Sequence, residues 1–186
     1  MDSFEQVVSE ILWNEGLWVW RSFKVELTAK DKADIGRPTS PRWEIDIVAY
    51  DAPGNVVHVI ECKSYFDNPG IGTRWLREEF SPSKSKTGFL KLFREVQLKN
   101  VVFRRLAGQL VEEKRCRPNP TLRLGLACGH TKKSARDELK KHFEVKGWDL
   151  YDEEWLRSKL RETAKRGYEN QVSTVVAKIL LRGSTE

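Results

Sequence analysis

Apolar residues along this chain follow two spacings, one typical of amphipathic helices and one typical of short buried strands. Near the start they recur every three or four residues, which predicts a helix over residues 4–14. The same spacing predicts helices over residues 87–113, 134–143, 152–166 and 171–181. Runs rich in Val, Ile, Leu and aromatic residues predict strands over residues 17–25, 122–128 and 148–151, with two further strands inside residues 43–65.

The order of these elements is α-β-β-β-α-β-α-β-α-α, which predicts an α/β domain. Consecutive strands form an antiparallel meander, and strands that follow helices run parallel to their neighbours. We therefore expect a mixed sheet of about five strands, flanked by helices on both faces. With 186 residues the chain suits a single domain, residues 1–186. Its expected parts are the first helix with three strands (1–65), a mobile loop (66–88) and the remaining elements (89–186).

Two acidic residues and a lysine lie on the pair of strands within residues 43–65. The turn between these strands is Ala52-Pro53-Gly54-Asn55, a strong turn sequence. Centring the turn on Pro53 and Gly54 places Asp46 opposite Glu61 and Glu44 opposite Lys63 on the neighbouring strand. A bulge in either strand would break this register.

Opposed carboxylates on one face of a sheet repel each other, since their Cβ atoms are only about 5 Å apart. A divalent cation would turn this conflict into binding energy, because Mg²⁺ is held by one or two carboxylates together with phosphate oxygens. The alternative is that Glu44 and Lys63 form an ordinary cross-strand ion pair on a solvent-facing side. The strongly apolar surroundings of both strands favour the metal site, because buried acids need a partner.

The charge of the chain points towards a polyanionic partner. The formal net charge is +6, and Lys and Arg are concentrated at residues 84–99, 104–105, 114–117 and 132–141. Solvated helix faces would explain any one of these runs equally well. No apolar run approaches the roughly 20 residues that span a bilayer, so no membrane partner is expected. Three scattered cysteines suit a reducing compartment, which predicts a cytoplasmic protein.

The motif residues resemble those of the PD-(D/E)XK nucleases, the superfamily of many restriction endonucleases, archaeal Holliday-junction resolvases and repair nucleases. Asp46 stands at the position of the metal-binding aspartate, and Glu61-Cys62-Lys63 matches the second acidic residue and the catalytic lysine. The sequence segments DIVAY and VIECK are similar to those of the resolvase-like and Mrr-like branches. The likeness covers the first half in motif detail and the second half only in element order, and Ile45 stands where many members have proline.

Those branches also carry a glutamate on the first helix, for which Glu5, Glu10 and Glu15 are candidates. Glu5 is the expected residue, because a side chain about 90° from the centre of the apolar stripe reaches round to the sheet. The alternative is that all three are exposed helix charges.

The resemblance implies a restriction-endonuclease-like fold and a magnesium-dependent endonuclease that hydrolyses phosphodiester bonds in DNA. Asp46, Glu61 and the Cys62 carbonyl would hold Mg²⁺, with Mn²⁺ as a substitute. Lys63 would act on the attacking water, and Glu44 would be a neighbouring partner of Lys63. A homodimer is expected where both strands of a duplex are cut.

The phosphate-binding residues are expected in the loop and at the start of the long helix. Lys84, Lys86, Lys91 and Arg94 are the candidates for contacts with the DNA backbone. No glycine-rich phosphate loop is found, so no nucleotide cofactor is expected. The alternative function is a nucleic-acid-binding or assembly module that keeps this fold without catalysis.

Overall fold

The computed structural model describes residues 2–39, 42–73, 90–167 and 169–181, and in these it contains five strands and seven α-helices. The strands are β1 (Trp18–Glu26), β2 (Arg42–Asp51), β3 (Val56–Lys63), β4 (Thr121–Cys128) and β5 (Asp149–Tyr151). The helices are α1 (Ser3–Asn14), α2 (Ala29–Asp34), α3 (Lys91–Arg94), α4 (Val96–Glu112), α5 (Arg136–Lys146), α6 (Glu153–Lys165) and α7 (Val172–Leu181).

The five strands form one open sheet in the order β1-β2-β3-β4-β5. β1, β2 and β3 pair antiparallel, whereas β4 runs parallel to β3 and β5 runs parallel to β4. This confirms the predicted α/β class and the mixed sheet. The hairpin formed by β2 and β3 lies at the centre of the sheet, and β3, the middle strand, has no exposed residue.

Helices cover both faces of the sheet, as predicted. One hydrophobic cluster joins the sheet to the long helix α4 and to α5, through residues such as Val102, Leu106 and Phe143. The other cluster joins the opposite face to α1 and α6, through Val8, Ile11 and Leu156. The sheet is therefore the central layer of three.

The hairpin between β2 and β3 has the predicted register. Five consecutive rungs run from Ile47–Ile60 to Asp51–Val56, which corresponds to a turn centred on Pro53 and Gly54. Asn55 takes the left-handed conformation at φ 52°, which Asn tolerates better than most residues. Asp46 and Glu61 occupy the next position beyond the last rung, so they lie together where the two strands begin to separate.

Two parts of the predicted element order were wrong. No helix was predicted between the first two strands, where residues 30–41 have the composition of a polar loop, but α2 (Ala29–Asp34) extends into this range because Thr28 and Asp31 form a reciprocal capping box. The helix expected over residues 87–113 is divided at Glu95, whose ψ of 93° is extended, into short α3 and long α4. Residues 74–89, which include most of the predicted loop, lie outside the described part of the chain.

Among the residues that the structure describes, no helix has the length and apolarity needed to cross a bilayer.

Candidate active site

The regular alternation of side chains along β2 is interrupted at Asp46. Residues two apart on a strand normally share a face. In β2, however, Ile47 packs in the cluster beneath α1 while Ile45 packs in the opposite cluster. The neighbouring strand β1 shows the same shift between Val19 and Phe23. Both strands therefore change phase at the same level of the sheet.

The break lies where Ser22 and Asp46 stand opposite each other. These two residues are not paired, although the pairs on either side, Arg21–Ile47 and Phe23–Ile45, are present, and Ser22 has a φ of 47°. A serine between strand residues gives no sequence signal for a left-handed backbone. Sequence reasoning therefore missed this break, which frees Asp46 from the packing of either face.

The Asp46 carboxylate turns towards β3 and takes the place of a strand partner. Its Oδ2 accepts a hydrogen bond from the backbone N–H of Cys62 at 2.7 Å. Lys63 Nζ lies 3.4 Å from the same oxygen and 3.8 Å from Glu61 Oε2. The structure thus brings together Asp46, Glu61 and Lys63, as the sequence predicts.

Glu61 is the most buried member of the group, with 9% of the residue exposed. Burial raises the pKa of Glu61 to about 7, and the negative charge of Asp46 adds to this rise, while Lys63 opposes it. Burial alone would lower the pKa of Lys63, but the charges of Asp46 and Glu61 raise it above its usual range. The Lys63 ammonium group therefore lies beside two carboxylates and neutralises the negative charge of Glu61 only in part.

Of the three helix glutamates, Glu5 is the one that the structure places within electrostatic reach of the group. Burial and the charge of Asp46 raise the pKa of Glu5. Glu10 instead accepts the backbone N–H of Ser173 at 2.8 Å, and Glu15 pairs with Lys159 at 2.6 Å.

The remaining predicted residues lie apart from this group. Glu44 is exposed and stands opposite Lys24 of β1. Among the residues that the structure describes, Lys63 contacts Asp46, Glu61 and the Cys62 carbonyl. The predicted pairing of Glu44 with Lys63 is therefore absent there, because the strands separate beyond Ile47–Ile60.

The predicted phosphate-binding residues divide into three cases. Lys84 and Lys86 lie outside the described residues. Lys91 is half-buried on α3, and its pKa is lowered by burial and by the nearby charge of Arg37. Arg94 is buried at 9% exposure, which disfavours its predicted contact with a phosphate at the surface.

The oxygen donors of the group suit Mg²⁺, which needs only one or two protein carboxylates. No cluster of three or more His, Cys, Asp or Glu side chains in the described ranges is already arranged to hold a metal ion. The Cys62 carbonyl accepts a hydrogen bond from Lys63 Nζ at 2.7 Å. The Cys62 side chain packs in the hydrophobic cluster with α1, and burial raises the pKa of its thiol, so the backbone carbonyl is the donor that this residue offers. The donor set fits, but Lys63 would have to move for the carbonyl to bind a cation.

Comparison with known proteins gives no match: no protein-family model, no curated protein and no solved structure matches the chain.

Proposed function

We propose that this protein is a metal-dependent nuclease that hydrolyses phosphodiester bonds in DNA. The observation that carries the proposal is the convergence of Asp46, Glu61 and Lys63 at the point where β2 and β3 separate. The likeness of these three residues to the PD-(D/E)XK motif supports it, and a restriction-endonuclease-like fold is part of the same proposal.

Each residue has a role that follows from its position. Asp46 and Glu61 would hold Mg²⁺ or Mn²⁺, with the Cys62 carbonyl as a third donor once Lys63 moves away. When bound, such a cation polarises the phosphoryl oxygen and lowers the pKa of a water molecule. Lys63 would orient that water or stabilise the negative charge that develops on the phosphate. Glu5 lies on the helix side of the site and would accept hydrogen bonds from water.

The distribution of charge supports a nucleic-acid substrate. The net charge of +6 favours binding to a polyanion, although the site itself is acidic. Burial and the positive charges of Arg37 and Arg94 lower the pKa of Lys91, whereas Glu95, which pairs with Arg37 at 2.7 Å, opposes this shift. The excess of cations at this position suits a phosphate group, as the paired carboxylates suit a divalent cation.

One observation favours the alternative, a nucleic-acid-binding module without catalysis. Lys63 already lies beside both carboxylates and on the Cys62 carbonyl. An ammonium group that is permanently held there would take the place of the metal ion and leave the site idle.

The experiment that separates these functions is a cleavage assay on supercoiled plasmid, branched DNA and single-stranded DNA, with Mg²⁺, Mn²⁺ or EDTA. The nuclease is expected to cut at least one substrate with a metal and none in EDTA. Binding without metal-dependent cleavage of any substrate would instead support the idle module.

A further inference from the structure

A cavity of about 460 Å³ opens beside the candidate active site. It lies between α1 and α6, at the carboxyl ends of the parallel strands β3 and β4, where α/β proteins commonly bind ligands. The backbone N–H of Gly129, one of its lining residues, donates to the Lys63 carbonyl at 3.1 Å. The cavity is therefore adjacent to the site in space, and its volume is in the usual range for small-ligand pockets.

The ring of Phe66 forms an exposed wall of this cavity but is held in place. Phe66 is 66% exposed, and its ring packs edge-on against Phe4 with centroids 5.7 Å apart. A Cβ atom at Gly129 would lie 2.6 Å from the nearest atom of the Phe66 ring and 2.5 Å from the Ser64 carbonyl oxygen. Glycine at position 129 therefore permits the close approach that fixes Phe66, and the ring leaves much of its surface open to solvent.

The opposite side of the cavity is polar and also fixed. His130 Nδ1 lies 3.1 Å from Glu153 Oε2, and Arg157 lies 3.3 Å from the other oxygen of Glu153. Burial alone would raise the pKa of Glu153, but the hydrogen bond with His130 and the charges of the nearby arginines lower it. Glu153 thus remains a carboxylate that holds the imidazole in one orientation.

We propose that this cavity binds one unpaired nucleobase of a DNA strand whose backbone passes the candidate active site. An open aromatic face, an apolar wall and an oriented imidazole match the flat surface and polar edge of a base. The substrate is then DNA with a single-stranded segment or end. This inference rests on the proposed function, because the neighbouring site supplies the reason for a phosphate backbone here.

The test measures the affinity of the full chain, in EDTA, for DNA hairpins of three kinds. One hairpin has a blunt end, one carries a short single-stranded extension, and a series of derivatives of the second carries an abasic site at each position of the extension in turn. The variants are Phe66→Ala, Phe66→Trp and, as an exposed aromatic control on another part of α1, Trp13→Ala.

Phe66→Ala is expected to weaken binding of the extended hairpin about 10-fold, the usual size of a base-stacking loss. Binding of the blunt hairpin should not change, and Phe66→Trp and Trp13→Ala should retain the affinity of the wild type. An abasic site at one position should cause the same loss in the wild type and no further loss in Phe66→Ala. Equal effects on both hairpins, or no effect, would overturn the proposal.

Three further outcomes distinguish a nucleobase pocket from the alternatives. If Phe66→Ala changes the sedimentation coefficient and leaves DNA affinity unchanged, the cavity is an interface between protein chains and the proposal is wrong. If the preference for extended DNA is present but no DNA is cut with Mg²⁺, the pocket stands and the nuclease proposal fails. If blunt DNA is cut and Phe66→Ala has no effect, the nuclease proposal stands and the pocket proposal fails.

Discussion

Two buried acidic residues, Asp31 and Glu61, have opposite surroundings in this fold. Asp31 is 4% exposed and Glu61 is 9% exposed. Asp31 accepts hydrogen bonds from the backbone and the hydroxyl group of Thr28 at 2.9 and 2.7 Å, and pairs with Arg104 at 2.6 Å and Arg105 at 3.3 Å. Glu61 shares Lys63, at 3.8 Å, with a second carboxylate.

The consequences for their ionisation differ in sign. The hydrogen bonds with Thr28, aided by the charges of the arginines, lower the pKa of Asp31, although burial opposes them. Burial and the charge of Asp46 raise the pKa of Glu61 to about 7. Asp31 therefore stabilises the fold above its unfolded pKa, and this stability is lost as the pH falls. Glu61 contributes to the free energy of unfolding below its unfolded pKa, and this stabilisation is lost as the pH rises through about 7.

This difference separates a structural acid from a candidate functional one. The Asp31 carboxylate is fully paired with hydrogen-bond donors and arginines, so it needs no ligand. The Glu61 carboxylate shares one lysine with a second carboxylate, so binding of an additional cation would stabilise its charged form. Perturbed acids of the second kind are concentrated at functional sites.

The largest expected effect is on cleavage. Asp46→Asn and Lys63→Ala should each reduce metal-dependent cleavage about 1,000-fold or more, because they remove a ligand and a group that acts on the reacting phosphate. Asp31→Asn, in the structural cluster, should cut at the wild-type rate at a temperature where it is folded. The measurement is the initial rate on the best DNA substrate, with the far-ultraviolet circular dichroism spectrum as the control for folding. Wild-type rates for both site variants would remove this cluster from the chemistry.

The next effect is on stability, and it depends on pH. In EDTA, Glu61→Gln should be more stable than the wild type above about pH 7, by an amount on the order of 3 kcal/mol. This advantage should shrink as the pH falls from 7 towards 4.5, because the wild-type carboxyl group becomes protonated in the folded state, and it should vanish below 4.5, where the unfolded state is protonated as well. Urea denaturation at a series of pH values provides the measurement. A difference that does not change with pH would show that the carboxylate is already compensated.

The corresponding change at the structural acid is smaller and opposite in direction. Asp31→Ala should destabilise the protein by about 1 to 2 kcal/mol, because it removes the capping box of α2 and a partner of two arginines that are themselves partly exposed. The loss should be present at neutral pH and diminish in acid. Asp34→Ala, an exposed change in the same helix, is the matched control and should have little effect. Equal midpoints for both variants in urea would contradict the structural role of Asp31.

The sequence predicts much of the arrangement around Glu61, because strand register follows from turn chemistry and a period of two. Five observed rungs agree with the register set by Pro53 and Gly54, and that register brings Asp46 and Glu61 together. The hydrogen bond from Cys62 to Asp46 was not predictable. It depends on the break at Ser22, which has neither a glycine nor a proline to mark it.

The errors elsewhere have different causes. The capping box of α2 was present in the sequence as Thr28-x-x-Asp31 and would have predicted that helix. The division of the long helix at Glu95 had no such signal, since helical apolar spacing continues through it. It accompanies the burial of Leu92 and Phe93 in the same hydrophobic cluster as residues of the sheet. Tertiary packing overrides local propensity there.

The smallest expected effect concerns two lysines in different surroundings. Lys91 lies close to Arg37 and Arg94, and burial together with these charges lowers its pKa, whereas Lys30 is an exposed lysine beside Asp31. Lys91→Ala should reduce the slope of log affinity for DNA against log salt by about 1, since one phosphate contact is lost.

Lys30→Ala removes the same formal charge and should leave the slope unchanged. Neutralising Lys84, Lys86 and Lys91 together should reduce the slope by about 3, if the two lysines outside the described residues also contact phosphates. The measurement is the dissociation constant for duplex and extended DNA at several salt concentrations in EDTA. An equal reduction for Lys30→Ala and Lys91→Ala would mean that the net charge alone attracts DNA, because a local phosphate contact must distinguish lysines by their position.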